Sequence, residues 1–456
     1  MTMRASGADT VIHYTLDGSA PTESSAIYTE PLTIDKTTVV RTVSTAENRF
    51  NSGESIMTYL FRQPHTLPVV CIAAEPDRWS KLMKAPFLEA GLEEQPVWVA
   101  YHEADGTLGT VFPAGISPRG NASLSYKQKS LSVHLRGAYG QSAVSYPFWG
   151  QDSFLSYRFL VLRNGSQDIL FARLRDSFAS RAAEKLRVMT VKTRPVIVYV
   201  NGAYYGIMDL NEGMNHDYLW THYKVEGDLV NIVQRNDSVK RGSADGFLAL
   251  RQYARQQDMA DDTVYDEFCQ RVDMDALIDY LIAQSFFGNY DIHNQNWWST
   301  TDGSIPWQPM LYDIDRCLND TSVTSNVLDM YFNPAGVVYN QNGDRIMMEI
   351  PCGLKKNAAW RQRFVERYAQ VLSTEFAEER LQALLDEMVD ALRPEMEAHV
   401  ARWGMPSSMI FWEGSIQQMH QCISKRYDRI TAQIKSQFGL SDGEWDALMS
   451  KYSGKD

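Results

Sequence analysis

The chain has 456 residues, 44% of them hydrophobic and 22% charged, which is ordinary for a soluble globular protein with material for two or three domains. Lys and Arg total 44 against 56 Asp and Glu, a formal charge of −12, and this argues against general binding to nucleic acid or to anionic membrane. No apolar run approaches the roughly 20 residues of a membrane-crossing helix, and the five cysteines form no CxxC pair, so free thiols are expected rather than a zinc site or a disulfide framework.

Residues 1–65 read as a small all-β, sandwich-like module. Residues 11–15 alternate as a strand does, Asp17-Gly18-Ser19 followed by Pro21 is turn chemistry, and 32–45 and 55–61 are further extended runs. The module holds no catalytic constellation. The opening MTMRASGADT lacks the apolar core of a signal peptide.

Further strands are predicted at 67–73, 97–101, 109–112, 131–136 and 159–162. Arg119-Gly120-Asn121 reads as a turn, and Lys127 and Lys129 stand just ahead of a strand. A strand lysine neutralises nucleotide phosphates in kinases; taken alone, both lysines read as solvated surface charges. A helix is predicted over 171–186 and a hairpin over 195–200 and 204–210, turning at Asn201-Gly202. Glu212 ends that hairpin as a surface carboxylate. Helices follow at 217–223, 247–256 and 274–287, so strands dominate early and helices late. The class is α+β.

Within 289–315 the stretches NYDIHNQNWWST and WQPMLYDID draw three carboxylates and several Asn side chains into an aromatic setting. Asp291 and Asn296 lie just after the apolar run 277–287. The run 307–312 reads as a short strand delivering Asp313 and Asp315, alternate residues expected on one face. In a kinase, an Asp-x4-Asn pair followed by an Asp leaving a strand accepts the substrate proton and holds Mg²⁺ against ATP phosphates. Hard oxygen ligands suit Mg²⁺. His293 is either a hydrogen-bond donor to Asp291 or a metal ligand, and with no second His nearby the orienting role is preferred. Trp297 and Trp298 read as core, with stacking on adenine or sugar as the alternative.

Residues 317–350, containing NDTSVTSN and NQNGD, read as a loop over the site. Helical spacing then recurs from Phe364 through Leu392 and from Ile416 to Ile423. Pro394 is expected to bend or restart a helix, and Pro406 marks a loop. Arg402 and Trp403 read as structural. Residues 441–456 are expected to be a frayed polar tail.

Two resemblances organise these readings. IHYTLDGSAPT…YTEPLTIDKTTVVRTVS…SGESIMTYLF resembles the chitobiase/β-hexosaminidase C-terminal module, an accessory β-domain of bacterial extracellular proteins. That implies either a spacer or a surface binding glycan or a partner. The resemblance begins abruptly, as it would if sequence were missing upstream. From about 66 to 438, the ordered stretches SPRGNAS…KQKSLSV, LRNGSQD…LRD, RPVIVYVNGAYYGIMDLNE, NYDIHNQNWW and WQPMLYDID resemble the CotH kinase family of atypical protein kinases. The expected division is thus a module over 1–65, a kinase-like domain over 66–440 with a helical part at 355–440, and the tail.

The second resemblance implies roles residue by residue. Asp291 would be the catalytic base. Asn296 and Asp313 would hold Mg²⁺ or Mn²⁺, with Asp313 and Asp315 both matching the motif. Arg119 and Lys129 would clamp the ATP phosphates, and Glu212 would pair with Lys129. The implied partner is a protein bearing Ser or Thr, and the implied location is exported or envelope-associated, with the cytoplasm and spore coat as the alternative. Gly213 stands where the family often has a basic residue, and 231–234 lacks a lysine often found there. An inactive scaffold is therefore the alternative function. A glycoside hydrolase using Asp313 and Asp315 ranks third, because it leaves Asn296 and the phosphate clamp unexplained.

Overall fold

The alternation at the N-terminus becomes an antiparallel sheet in the order Ala26–Ile27, Val11–Thr15, Thr38–Thr45, Ser55–Tyr59. The expected sandwich is, among the described residues, this one sheet, and the long extended run pairs only from Thr38 onward. The structure is a computed structural model and describes every residue except 8, 62–64, 85–93, 154, 236–237, 334–337, 340–344, 347 and 453–456. The described residues gather into two compact units. One comprises Met1–Ile169, Arg194–Glu212 and Asp390–Met409; the other comprises Leu170–Thr193, Gly213–Val389 and Ile410–Asp456.

The first unit holds the N-terminal sheet and a closed seven-stranded barrel. Its order is Phe159–Arg163, Ala203–Glu212, Thr193–Val200, Val69–Ala74, Gln95–His102, Leu108–Arg119 and Ser130–His134. The last strand pairs back onto the first, Leu160 opposite Val133. Inward residues such as Ile72, Phe112, Ile116, Leu131, Val198 and Met208 fill the interior, and closure removes the exposed edges an open sheet would carry. The Asn201-Gly202 turn, predicted from its dipeptide, abuts the small sheet. Gly202 has φ +79°, and a Cβ there would lie 2.5 Å from the Thr37 carbonyl oxygen. Arg402 and Trp403 donate to the Tyr204 and Tyr205 carbonyls at 3.3 and 2.6 Å, the structural use expected of them.

The second unit is built on an antiparallel sheet, Ser238–Arg241, Val230–Gln234, Asn296–Thr300 and Gln308–Met310, with helices around it. Met274–Phe287 forms the expected helix. Asp273 caps it by accepting from the Ala276 N–H at 3.0 Å, and nearly every residue of it is buried, as befits a helix apolar all round. The class is α+β.

Several elements differ from expectation. The helix predicted over 171–186 is only Arg175–Ala182; its late start follows from Arg173, which takes φ +62°. The helix Glu378–Trp403 runs on through Pro394. The polar tail forms a helix, Asp442–Tyr452, anchored by the buried Trp445. NDTSVTSN is not a loop: Asn319 caps a helix over Asp320–Thr324 through a reciprocal pair of bonds with Ser322. The NQNGD stretch lies outside the described residues. No helix among the described residues is long and apolar enough to cross a membrane, and all five cysteines are free thiols.

Candidate active site

The loop carrying Asp291 starts where the Met274–Phe287 helix must stop. Gly288 caps it with φ +65°, and a Cβ there would lie 2.3 Å from the Ser322 carbonyl oxygen, so both backbone and space demand glycine. Asn289 then turns the chain: its Nδ2 donates to Gln284 Oε1 at 2.8 Å and its Oδ1 accepts from the Asp291 N–H at 3.3 Å. Behind the cap, the fully buried Arg426 donates to the Phe286 and Ser322 carbonyls at 2.9 and 3.2 Å. The loop is therefore mounted on a fixed base.

Asp291 is buried and held through both oxygens. His293 Nδ1 lies 2.7 Å from Oδ1, the orienting arrangement the sequence favoured over metal ligation. Asn294 Nδ2 donates to Oδ2 at 3.2 Å. The same Nδ2 donates to Asp313 Oδ2 at 3.1 Å. Asn294 thus joins two of the three aspartates singled out in the sequence, and reasoning from motif spacing missed it. Its signal was the one Asn standing between Asp291 and Asn296.

Asn296 opens the strand Asn296–Thr300, opposite Gln234 on one side and Met310 on the other. It is buried, and its Oδ1 has no hydrogen-bond partner among the described residues. A buried carbonyl oxygen without a donor costs about 1–3 kcal/mol, and an ordered water, a bound ion or a functional role accounts for such atoms in native proteins. Trp297 and Trp298 are buried core, packed on Phe247 and bonded to Met189 Sδ.

The strand expected to deliver both aspartates ends at Met310, so Asp313 and Asp315 are not strand residues sharing a face. Asp313 takes φ +59°, a left-handed conformation uncommon outside glycine and concentrated at functional sites. The turn is fixed from the Arg175–Ala182 helix: Asp176 Oδ1 accepts from the Ile314 N–H at 2.7 Å, and Arg175 Nε donates to the Leu318 carbonyl at 3.3 Å. This explains the LRD stretch in physical terms. Tyr312, just ahead, accepts from Gln234 Nε2 at 3.1 Å; burial first, and the Asp313 charge second, push its phenol above the usual range. Asp315 is buried.

The other residues singled out in the sequence, Arg119, Lys129 and Glu212, lie in the first unit. Lys127 is exposed, but Lys129 is buried, so the surface reading fails for the second lysine. The Lys129 ammonium donates to the Leu124 carbonyl, and burial pulls it below the usual lysine range. The lysine backbone is braced: its N–H donates to Tyr205 Oη at 3.0 Å, while Asn164 Nδ2 donates to the neighbouring Gln128 carbonyl at 2.7 Å. The KQKS and LRNGS stretches are thus two sides of one brace. Glu212 ends its strand as a buried carboxylate, not a surface one. Arg119 ends another strand with its guanidinium 5.6 Å from the centroid of the Phe159 ring.

Among the described residues no three His, Cys, Asp or Glu side chains cluster as a metal site. The oxygens offered by the second unit are instead a mixed carboxylate and carboxamide set, in a chain whose larger part is kinase-like. Residues 116–430 match the family described as CotH kinase protein, and the chain belongs to that family. Residues 1–57 match the chitobiase/beta-hexosaminidase C-terminal domain. None of the curated proteins compared with the chain matches it.

Proposed function

We propose that the chain is an ATP-dependent phosphotransferase acting on Ser or Thr of a protein, with Mg²⁺ or Mn²⁺ as cofactor. The observation that carries this reading is the buried Oδ1 of Asn296, without a partner among the described residues, on the strand that follows Asp291. A hard cation fits such an oxygen together with a carboxylate from the neighbouring Asp313 turn. When bound, the metal supplies charge neutralisation at the transferring phosphates. Asp291 accepts the substrate hydroxyl proton, and His293 and Asn294 fix its direction. Asp313 is preferred over Asp315 as the ligand, because Asp313 makes the contact to Asn294. Lys129 and Arg119 are assigned to the phosphates, and Glu212 to the charge balance around Lys129. The N-terminal module is proposed to hold a glycan or envelope partner in an exported protein.

A second reading, a catalytically inactive scaffold, is favoured by one observation. Asn231 accepts from the Ser243 N–H at 2.9 Å and Gln234 donates to Tyr312 Oη, so the positions without the lysine are occupied by bonded amides. Transfer from labelled ATP to a Ser/Thr-rich protein, with Mg²⁺ or Mn²⁺, separates the two. On the enzyme reading Asp291→Asn and Asp313→Asn both lose transfer, and calorimetric titration shows metal-dependent ATP binding lost only in Asp313→Asn. Wild-type chain that binds no nucleotide supports the scaffold.

A further inference from the structure

We propose that Asn294 is a positioning residue that sets the separation and orientation of Asp291 and Asp313, an inference that rests on the phosphotransfer reading above. A primary carboxamide carries two N–H donors on one nitrogen, and here that nitrogen donates to Asp291 Oδ2 at 3.2 Å and to Asp313 Oδ2 at 3.1 Å. The two carboxylate oxygens therefore lie within two hydrogen-bond lengths of one atom. Two like charges at that range repel. A neutral donor between them offsets the repulsion without supplying a competing charge. Asp291 Oδ1 meanwhile stays with His293.

The geometry assigns this work to the side chain rather than to the loop. The Asn294 backbone is fixed separately, its N–H donating to the Asp291 carbonyl at 3.3 Å. Gly288, Asn289 and Arg426 hold the loop's root without it. Truncation of Asn294 leaves the mount in place and releases only the bridge. Replacement by Asp substitutes a third carboxylate for the donor, and carboxylate count is what tunes a site for hard cations.

The test uses the full chain and Mn²⁺ as probe, followed by electron paramagnetic resonance with and without ATP. Asn294→Ala is expected to melt close to wild type, to lose about 10–100-fold in Mn²⁺–ATP affinity and to lower kcat while leaving KM for the protein substrate nearly unchanged. Asn294→Asp is expected to bind Mn²⁺ without nucleotide about tenfold more tightly than wild type. An Asn294→Ala protein whose Mn²⁺–ATP affinity and kcat stay within about threefold of wild type overturns the proposal. Wild-type chain that neither binds Mn²⁺–ATP nor transfers phosphate sinks the phosphotransfer reading. The Asn294→Asp titration then still decides the bridge, a nucleotide-free gain supporting it and no gain overturning it.

Discussion

The carboxylate of Asp176 accepts the backbone N–H of Ile314 at 2.7 Å, so a helix residue far back in the chain sets the turn between Asp313 and Asp315. A buried hydrogen bond to a charged group contributes about 1.5–3 kcal/mol, and an orphaned N–H is costly in its own right. Asp176→Ala is expected to lower the melting temperature by a few degrees and to lose metal-dependent ATP binding together. Asp176→Asn keeps an acceptor oxygen and is expected to fall between Ala and wild type. Calorimetry with and without Mg-ATP reads both effects.

The helix stop at Gly288 gives a controlled comparison. Gly288→Ala forces a Cβ into a left-handed position and against the Ser322 carbonyl. At Gly303, φ is +74° and a Cβ would meet nothing within 4 Å. The backbone penalty, about 1–2 kcal/mol, is common to both. Gly288→Ala is expected to destabilise by clearly more than Gly303→Ala in urea denaturation, the difference reporting the clash.

Asn296 carries opposite signs for stability and for binding. Removing a buried oxygen that has no partner relieves a penalty of about 1–3 kcal/mol in the ligand-free protein. Asn296→Leu is therefore expected to melt at or above the wild-type temperature while showing no metal-dependent shift with ATP. A variant that melts lower and keeps the shift would mean that Oδ1 is not a ligand.

The thiols make stability fall in alkali. Burial raises Cys352 and Cys422 from an ordinary value of 9.0 to about 11. Between those values the unfolded chain has released protons that the native chain retains. The unfolded state binds fewer protons, and stability falls as pH rises through that window. Urea midpoints are expected to drop between pH 9 and pH 11, and to drop less in a Cys352→Ala, Cys422→Ala double variant. At pH 8 both thiols are expected to react slowly with a thiol reagent until the chain unfolds.

The parts legible in the sequence were those written in local chemistry. The helix ending at Phe287, the Asn201-Gly202 turn and the Asp291–His293 pairing all follow from residues close in the chain. The strand Asn296–Thr300 was not legible. It is flanked by strands on both sides and buried along its whole length, so Trp297 and Trp298 show no alternation to read. Asn294 was missed because its importance comes from two carboxylates, one of which is placed by Asp176. The left-handed Asp313 and the buried state of Lys129 likewise depend on distant residues, Asp176 holding the adjoining Ile314 N–H in one case and Tyr205 in the other. The tail at 441–456 looked frayed because its apolar signal rests largely on Trp445.

The most direct measurement is a thermal-shift titration of the full chain with ATP, with and without Mg²⁺ or Mn²⁺, on wild type and Asp313→Asn. A ligand that binds only the folded state adds about 2.7 kcal/mol at a hundredfold excess over Kd. The account predicts a shift that requires the metal and disappears in Asp313→Asn. A wild-type chain that shows no shift with any metal, or an equal shift in Asp313→Asn, contradicts it.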